Sequence, residues 1–249
     1  MNKKTRAKLF SVLLAVALWQ LVSLAVGSEM LLASPVSVVS RLAVIWREPG
    51  FLASVLFSFS HIVAGFLLAF ILGLVLGIIA GRYEIVETLL WPYVITVKTV
   101  PVASFIILCL IWLDFSTLTV VIAFLIAFPV IYSNVLQGYK STTEEMKELC
   151  KVFRVSRTRR LLYVSLPAIK PFLISATRIG AGMAWKAGVA AEVIGIVEGS
   201  IGEQLYQAKI YFLNADLLSW TVIIILLSAV TEKLAVKLLE CAFKAEERL

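Results

Sequence analysis

Apolar residues in this chain come in long runs rather than in alternation. Six runs, at about 9–26, 55–80, 89–113, 118–135, 172–197 and 217–239, hold roughly 18 to 25 residues each. That length suffices for a helix to cross the hydrocarbon core of a bilayer. A membrane barrel would instead need shorter segments of alternating apolarity. The pattern predicts an all-α, polytopic transmembrane helical bundle of six spans, forming a single domain over 1–249. The first run follows a basic N-terminus, as a signal peptide would. Its apolar stretch exceeds a usual signal core and SLAVGSE is a weak cleavage site, so it reads as a retained helix.

The interruptions carry as much information as the runs. Residues 27–50 are too mixed to span, and between Pro35 and Pro49 a short amphipathic piece suits the outer interface. In the second run Gly65, Ala69, Gly73, Gly77 and Gly81 recur every four residues. That register lines up one narrow stripe of small residues, against which another helix backbone can pack closely. The third run is broken by Lys98 and Pro101, because proline removes a backbone donor and a membrane lysine must face protein or water. Asp114, Phe115 and Ser116 read as a tight outer turn before the fourth run, which holds Pro129. The fifth run carries Arg178, Lys186 and Glu192, with a small-residue series at Gly180, Ala184 and Gly188. Residues 198–216 look like a short outer helix between turns.

One polar stretch, Thr142 to Pro167, stands apart. Thr142 and Glu145 have capping-box spacing, which predicts a helix start there. Met146, Leu149, Cys150 and Phe153 then recur at i, i+3, i+4 and i+7 and share a face. Lys147, Glu148, Lys151 and Arg154 cover the other side, and a basic run to Arg160 follows. Such a helix needs a cover for its apolar face: lipid, the rest of the chain, or another protein.

Composition agrees with the membrane reading, with 61% hydrophobic residues and a mean hydropathy of +0.97. A net charge of +7 would suggest nucleic acid in a soluble protein. Here it follows from basic inner loops: seventeen of the 23 Lys and Arg fall in the predicted inner segments and three in the outer ones. The asymmetry puts both termini and the polar stretch in the cytoplasm. Cys109, Cys150 and Cys241 are far apart, without the spacing of a zinc site or a disulfide framework. No GxxxxGK[ST] phosphate loop is present, so this chain cannot hydrolyse ATP by that route. His61, inside a run and without a second ligand in view, suits a hydrogen-bonded packing role.

The polar stretch resembles the cytoplasmic loop motif of ABC importer permeases: EAA, three residues, Gly, nine residues, Ile, one residue, LP. Glu148, Leu149 and Cys150 stand at the EAA places, Arg154 at the glycine, Val164 at the isoleucine, and Leu166-Pro167 close the motif. Both alanines and the glycine are replaced. KTVPVASFIILCLIWL, FLIAFPVIYSNVLQGYKS and AWKAGVAAEVIG are similar to the nitrate/sulfonate/taurine, binding-protein-dependent branch of that family. The resemblance implies a non-catalytic, multi-pass transport subunit of the cell membrane, paired with a second permease copy in a homodimer. Its further partners are a dimer of cytoplasmic ABC ATPase subunits and an extracytoplasmic solute-binding protein, with no nucleic acid. It implies no cofactor in this chain, with ATP and Mg held by the ATPase. The Met146, Leu149 and Phe153 face would then be a coupling helix seated on the ATPase, and the solute a small anion such as a sulfonate, taurine or nitrate. The branch also holds importers of uncharged or cationic vitamin precursors.

Within the spans, Lys98, Pro101, Trp185, Lys186 and Glu192 are the candidate translocation-path residues. Trp185 and Glu192, seven apart, share a face. Lys98 and Lys186 would lend positive potential to an anion path. In the opposing reading Glu192 neutralises one of them across a helix contact. Arg178, near the inner end of its span, can snorkel to the headgroups. A secondary transporter, or a membrane assembly subunit whose amphipathic loop binds lipid, are the alternative functions open to these residues.

Overall fold

The computed structural model describes residues 3–246, and every element among them is helical. In chain order these are α1 (Lys3–Val26), α2 (Pro35–Ile45), α3 (Phe51–Arg82), α4 (Glu84–Thr99), α5 (Val102–Cys109), α6 (Phe115–Lys140), α7 (Glu144–Val152), α8 (Arg157–Arg160), α9 (Leu166–Gly195), α10 (Ile201–Ile210) and α11 (Asn214–Glu246).

Helices α3, α6 and α9 make the core. Ile62 and Phe66 of α3 pack with Ala123, Ala127 and Ile131 of α6 and with Ala176, Ala184 and Trp185 of α9, all buried. The small-residue stripe of α3 lies against α6. A Cβ on Gly77 would sit 2.7 Å from Val135 Cγ1, and one on Gly73 would sit 2.9 Å from Ile131 Cγ2. At Gly65 it would run into the Val120 carbonyl oxygen, and at Gly81 into the Tyr139 ring. Ala69 is fully buried in the same row. Helix α9 closes on the pair in the same manner, since a Cβ on Gly188 would come within 2.6 Å of Ile62 Cγ1.

Around this core the shorter helices fill the ends. Ile106 of α5 packs with Leu118 and Ile122 of α6 and with Ala187 and Ala191 of α9. Ile45 of α2, Ile201 of α10 and Trp220 of α11 form a separate cluster. Arg41 of α2 bonds both Asp216 of α11 and, at 2.5 Å, Glu48. The helix starts are capped locally. Ser34 accepts the Ser37 N–H at 3.1 Å, and Asp114 accepts the Thr117 N–H at 3.2 Å. Hydrogen bonds from the Ser116 hydroxyl and from Thr117 hold the Asp114 carboxyl down at about 2.

The structure sharpens one sequence expectation. The run at 89–113, expected as one interrupted span, is the two helices α4 and α5 bent by 102°. Val100 and Pro101 are both extended there, with ψ of 133° and 134°. A residue before proline avoids the α region and proline itself cannot donate, so two successive residues leave the helix. The pair is therefore a broken span or a re-entrant loop. By length and composition α3 and α6 each qualify alone as membrane-crossing helices, and α4 with α5 as a third. Helices α9 and α11 are long enough at 30 and 33 residues, but each carries several charges. The apolar part of α1, Phe10–Val26, is short.

The α3–α6 crossing yields a paired prediction. Gly77→Val should lower the stability of the purified protein by about 1–3 kcal/mol, as overpacking does. Gly182→Ala, where a Cβ meets nothing within 4 Å, should raise it by roughly 0.5–1 kcal/mol. Thermal unfolding in detergent measures both, and equal effects would remove the close-crossing account.

Candidate functional site

Helix α7 begins one residue later than the capping-box spacing predicted. Thr143, not Thr142, is the N-cap, and its hydroxyl accepts the Met146 N–H at 3.3 Å. No carboxylate then stands at the third helical position, so the reciprocal half of a capping box is missing. Met146, Leu149 and Phe153 form an exposed apolar ridge, 43%, 49% and 74% accessible. Cys150, predicted on the same face, is instead buried: it lies at the edge of the ridge and turns inward. Val152, 75% accessible, extends the ridge and was not foreseen. Its three-residue spacing from Leu149 was the available signal. Glu148 is exposed beside the ridge.

The helix ends in a turn that explains the motif. Arg154 has φ of 49°, in the left-handed region. Its N–H donates to the Lys151 carbonyl at 3.1 Å, and the Val155 N–H reaches back to the Cys150 carbonyl at 2.9 Å. These two bonds define a Schellman turn with Arg154 at the position usually held by glycine. Arginine thus keeps the geometry that a glycine would supply, at a conformational cost of roughly 1–2 kcal/mol for an L-residue.

The motif's closing residues set how the loop rejoins the bundle. Val164 and Leu166 are half-buried and Pro167 is exposed. Pro167 has no N–H, and its ring crowds the carbonyl one turn back. The ladder slips into a single π-type turn over Leu161–Ser165, in which the Leu166 N–H bonds the Leu161 carbonyl. Helix α9 starts directly from that turn.

The polar groups of the spans are not gathered at one point. Glu192 is fully buried. Its Oε2 accepts the Ser58 hydroxyl at 2.8 Å and the Gly202 N–H at 3.1 Å, and Oε1 has no partner among the described residues. The Ser58 oxygen in turn accepts the Ile201 N–H at 2.9 Å. Glu192 therefore ties α9 to α3 and to the first turn of α10, and the reading in which it neutralises one of the lysines does not hold within this chain. Gly202 is required there, because a Cβ would overlap Glu192. Ser58 and Gly202 carried no sequence signal, being far from Glu192 or outside the runs.

Trp185 is also enclosed: its Nε1–H donates to Thr231 Oγ1 of α11 at 3.1 Å, and its ring lies 6.2 Å from that of Phe59. Trp185 and Glu192, predicted on a path, thus lie inside the chain's own core. Lys98, Pro101 and Lys186 are exposed. Lys98 Nζ donates to Ser133 Oγ of α6 at 2.7 Å, beside the α4–α5 break. Arg178 is exposed near Glu232 and Glu240 of α11, all lining one shallow cavity. His61 Nδ1 lies 2.7 Å from the Phe57 carbonyl oxygen of its own helix.

Residues 73–236 match the family of binding-protein-dependent transport system inner membrane components. The chain belongs to that family of ABC importer permeases, and it is similar to permeases named for nitrate, sulfonates and taurine. It is 27% identical over 206 residues to the nitrate import permease protein NrtB of Synechococcus elongatus, covering 77% of this chain and 72% of that protein. It is 26% identical over 227 residues to the putative aliphatic sulfonates transport permease protein SsuC of Bacillus subtilis, covering 90% and 82%. Over 187 residues it is 27% identical to the taurine transport system permease protein TauC of Escherichia coli, covering 73% and 68%.

The turn after α7 supplies a prediction. Arg154→Gly should keep the Schellman bonds and stabilise the segment by about 0.5–1 kcal/mol, the relief of a left-handed arginine less the added freedom of the unfolded chain. Slower amide exchange at Arg154 and Val155 relative to wild type checks this. Faster exchange would show that the arginine side chain, not the backbone, holds the turn.

Proposed function

We propose that this chain is the solute-conducting permease of an ATP-driven importer, crossing the cell membrane six times with both termini in the cytoplasm. Two copies form the path, and an extracytoplasmic binding protein delivers solute. Helix α7 seats its Met146, Leu149, Val152 and Phe153 ridge in a groove of a cytoplasmic ABC ATPase, which holds ATP and Mg. Closure of the ATPase dimer moves α7, and the spans follow as a rocking body between two states. The observation that carries this reading is the ridge itself: four large apolar side chains exposed on a single short helix, fixed at both ends by a cap and a Schellman turn. Helix-in-groove recognition uses anchors at that spacing. Burying one such side chain is worth about 1.5–3 kcal/mol.

The relatives named for nitrate, sulfonates and taurine support a small anion as solute. A further relative, the formylaminopyrimidine transport permease protein ThiX of Halalkalibacterium halodurans, widens the range of cargo in the branch. Lys98 and Lys186, both exposed on the protomer, are the groups that would favour an anion along the path.

Co-purification of a tagged permease with its ATPase should be lost in Phe153→Asp, since a buried anchor contributes about 2 kcal/mol or more, roughly thirtyfold in affinity. Retention of the ATPase at wild-type stoichiometry would sink the coupling role. In cells, Lys98→Met and Lys186→Met should each lower uptake of a sulfonate while leaving assembly intact. Undiminished uptake in both would remove these lysines from the path.

A further inference from the structure

At the end of the bundle that carries α7, the last turns of α3 and α6 and the segment 158–165 enclose a cavity of about 470 Å³. Arg82, Lys140 and Arg160 line it, together with Thr158, Tyr139 and Ser165. Lys140 is engaged with Glu87 at 2.6 Å. Neither guanidinium has a carboxylate partner among the described residues; Arg82 lies 5.1 Å over the Tyr83 ring instead. Two unneutralised arginines and three hydroxyls around a cavity of ligand size give a site for an oxyanion. Gly81 helps to make it: the Tyr139 ring packs where a Cβ would stand.

The surroundings select the kind of anion. Next to the lining residues in sequence, Tyr83 and Tyr163 are 49% and 71% exposed, and Ile85 is 79% exposed. Aromatic rings beside basic groups mark the level of lipid headgroups, and exposed apolar side chains there have acyl chains to meet. We propose that this cavity binds the phosphate of an anionic phospholipid in the leaflet on the α7 side, and so pins the inner ends of α3 and α6 beside the coupling loop. The chemistry recognised is a phosphate group held by Arg82 and Arg160; the flanking apolar surface makes a lipid its source rather than free phosphate. The reading rests on the six-span orientation only for the identity of the leaflet.

The test uses the purified full-length permease in detergent, without ATPase, so that its outcome is independent of coupling. Dioleoyl-phosphatidylglycerol and dioleoyl-phosphatidylcholine are titrated in turn, and bound lipid is counted by native mass spectrometry. Wild type should retain the anionic phosphatidylglycerol in preference to the zwitterionic phosphatidylcholine. Near an anionic membrane each basic residue is worth roughly a factor of five, so Arg82→Gln with Arg160→Gln should weaken retention by about thirtyfold. Arg160→Lys should keep most of it. Arg159→Gln with Lys151→Gln, which removes two exposed charges outside the cavity, should leave it within about twofold. Equal losses in the two double variants would show a diffuse field and overturn the site. Displacement of the lipid from wild type by inorganic phosphate, at an ionic strength held at about 0.15 M, would overturn the lipid assignment. Should the Arg82/Arg160 double variant fail to fold, as read by its unfolding temperature, Arg160→Gln alone decides, with a loss of about fivefold expected and wild-type retention overturning the proposal.

Discussion

The close approach of α3 to α6 is the contact on which the other placements depend. Lipid tails are as apolar as leucine, so helices in a bilayer gain little by hiding apolar side chains from one another. What remains is dispersion between atoms that truly touch, and that requires backbones to come near. Gly65, Ala69, Gly73 and Gly77 provide it on α3 by presenting no bulk to Val120, Ile131 and Val135. Once α3 and α6 are fixed, α9 has a defined groove to enter, and Gly188 lets it settle against Ile62.

Polar bonds then lock what packing has positioned. Glu192 is the clearest case, because a carboxylate without water must be satisfied by the protein. Ser58 reaches it from α3 and Gly202 from α10, so α10 cannot shift without exposing a buried acid. Trp185 and Thr231 do the same between α9 and α11. Such ties make α3, α9, α10 and α11 a single body. Helix α7 lies outside this locked group, with only Cys150 turned inward and its apolar ridge exposed.

The motif at the end of α7 shows how a backbone requirement can outlive the residue that usually meets it. A Schellman turn needs one residue at positive φ, and glycine meets that need at little cost. Here Arg154 adopts the same conformation, so the turn, the direction of the basic run and the re-entry through Pro167 all persist. The substitution adds a cation at the tip of the loop and leaves its path intact.

Much was legible in the residues alone: helical class, the amphipathic α7, the small-residue stripe and the break at Pro101. These depend on local spacing, on proline's missing donor and on glycine's missing side chain, which act wherever the chain lies. The sharpness of the α4–α5 bend, the choice of Thr143 over Thr142 as cap, and the inward turn of Cys150 came only with the fold. So did the partners of Glu192 and Trp185, because Ser58, Gly202 and Thr231 lie 134, 10 and 46 residues away. Spacing along one helix says which side chains share a face. It does not say which neighbour that face will meet, and for a buried acid or indole the neighbour decides between a lining role and a structural one.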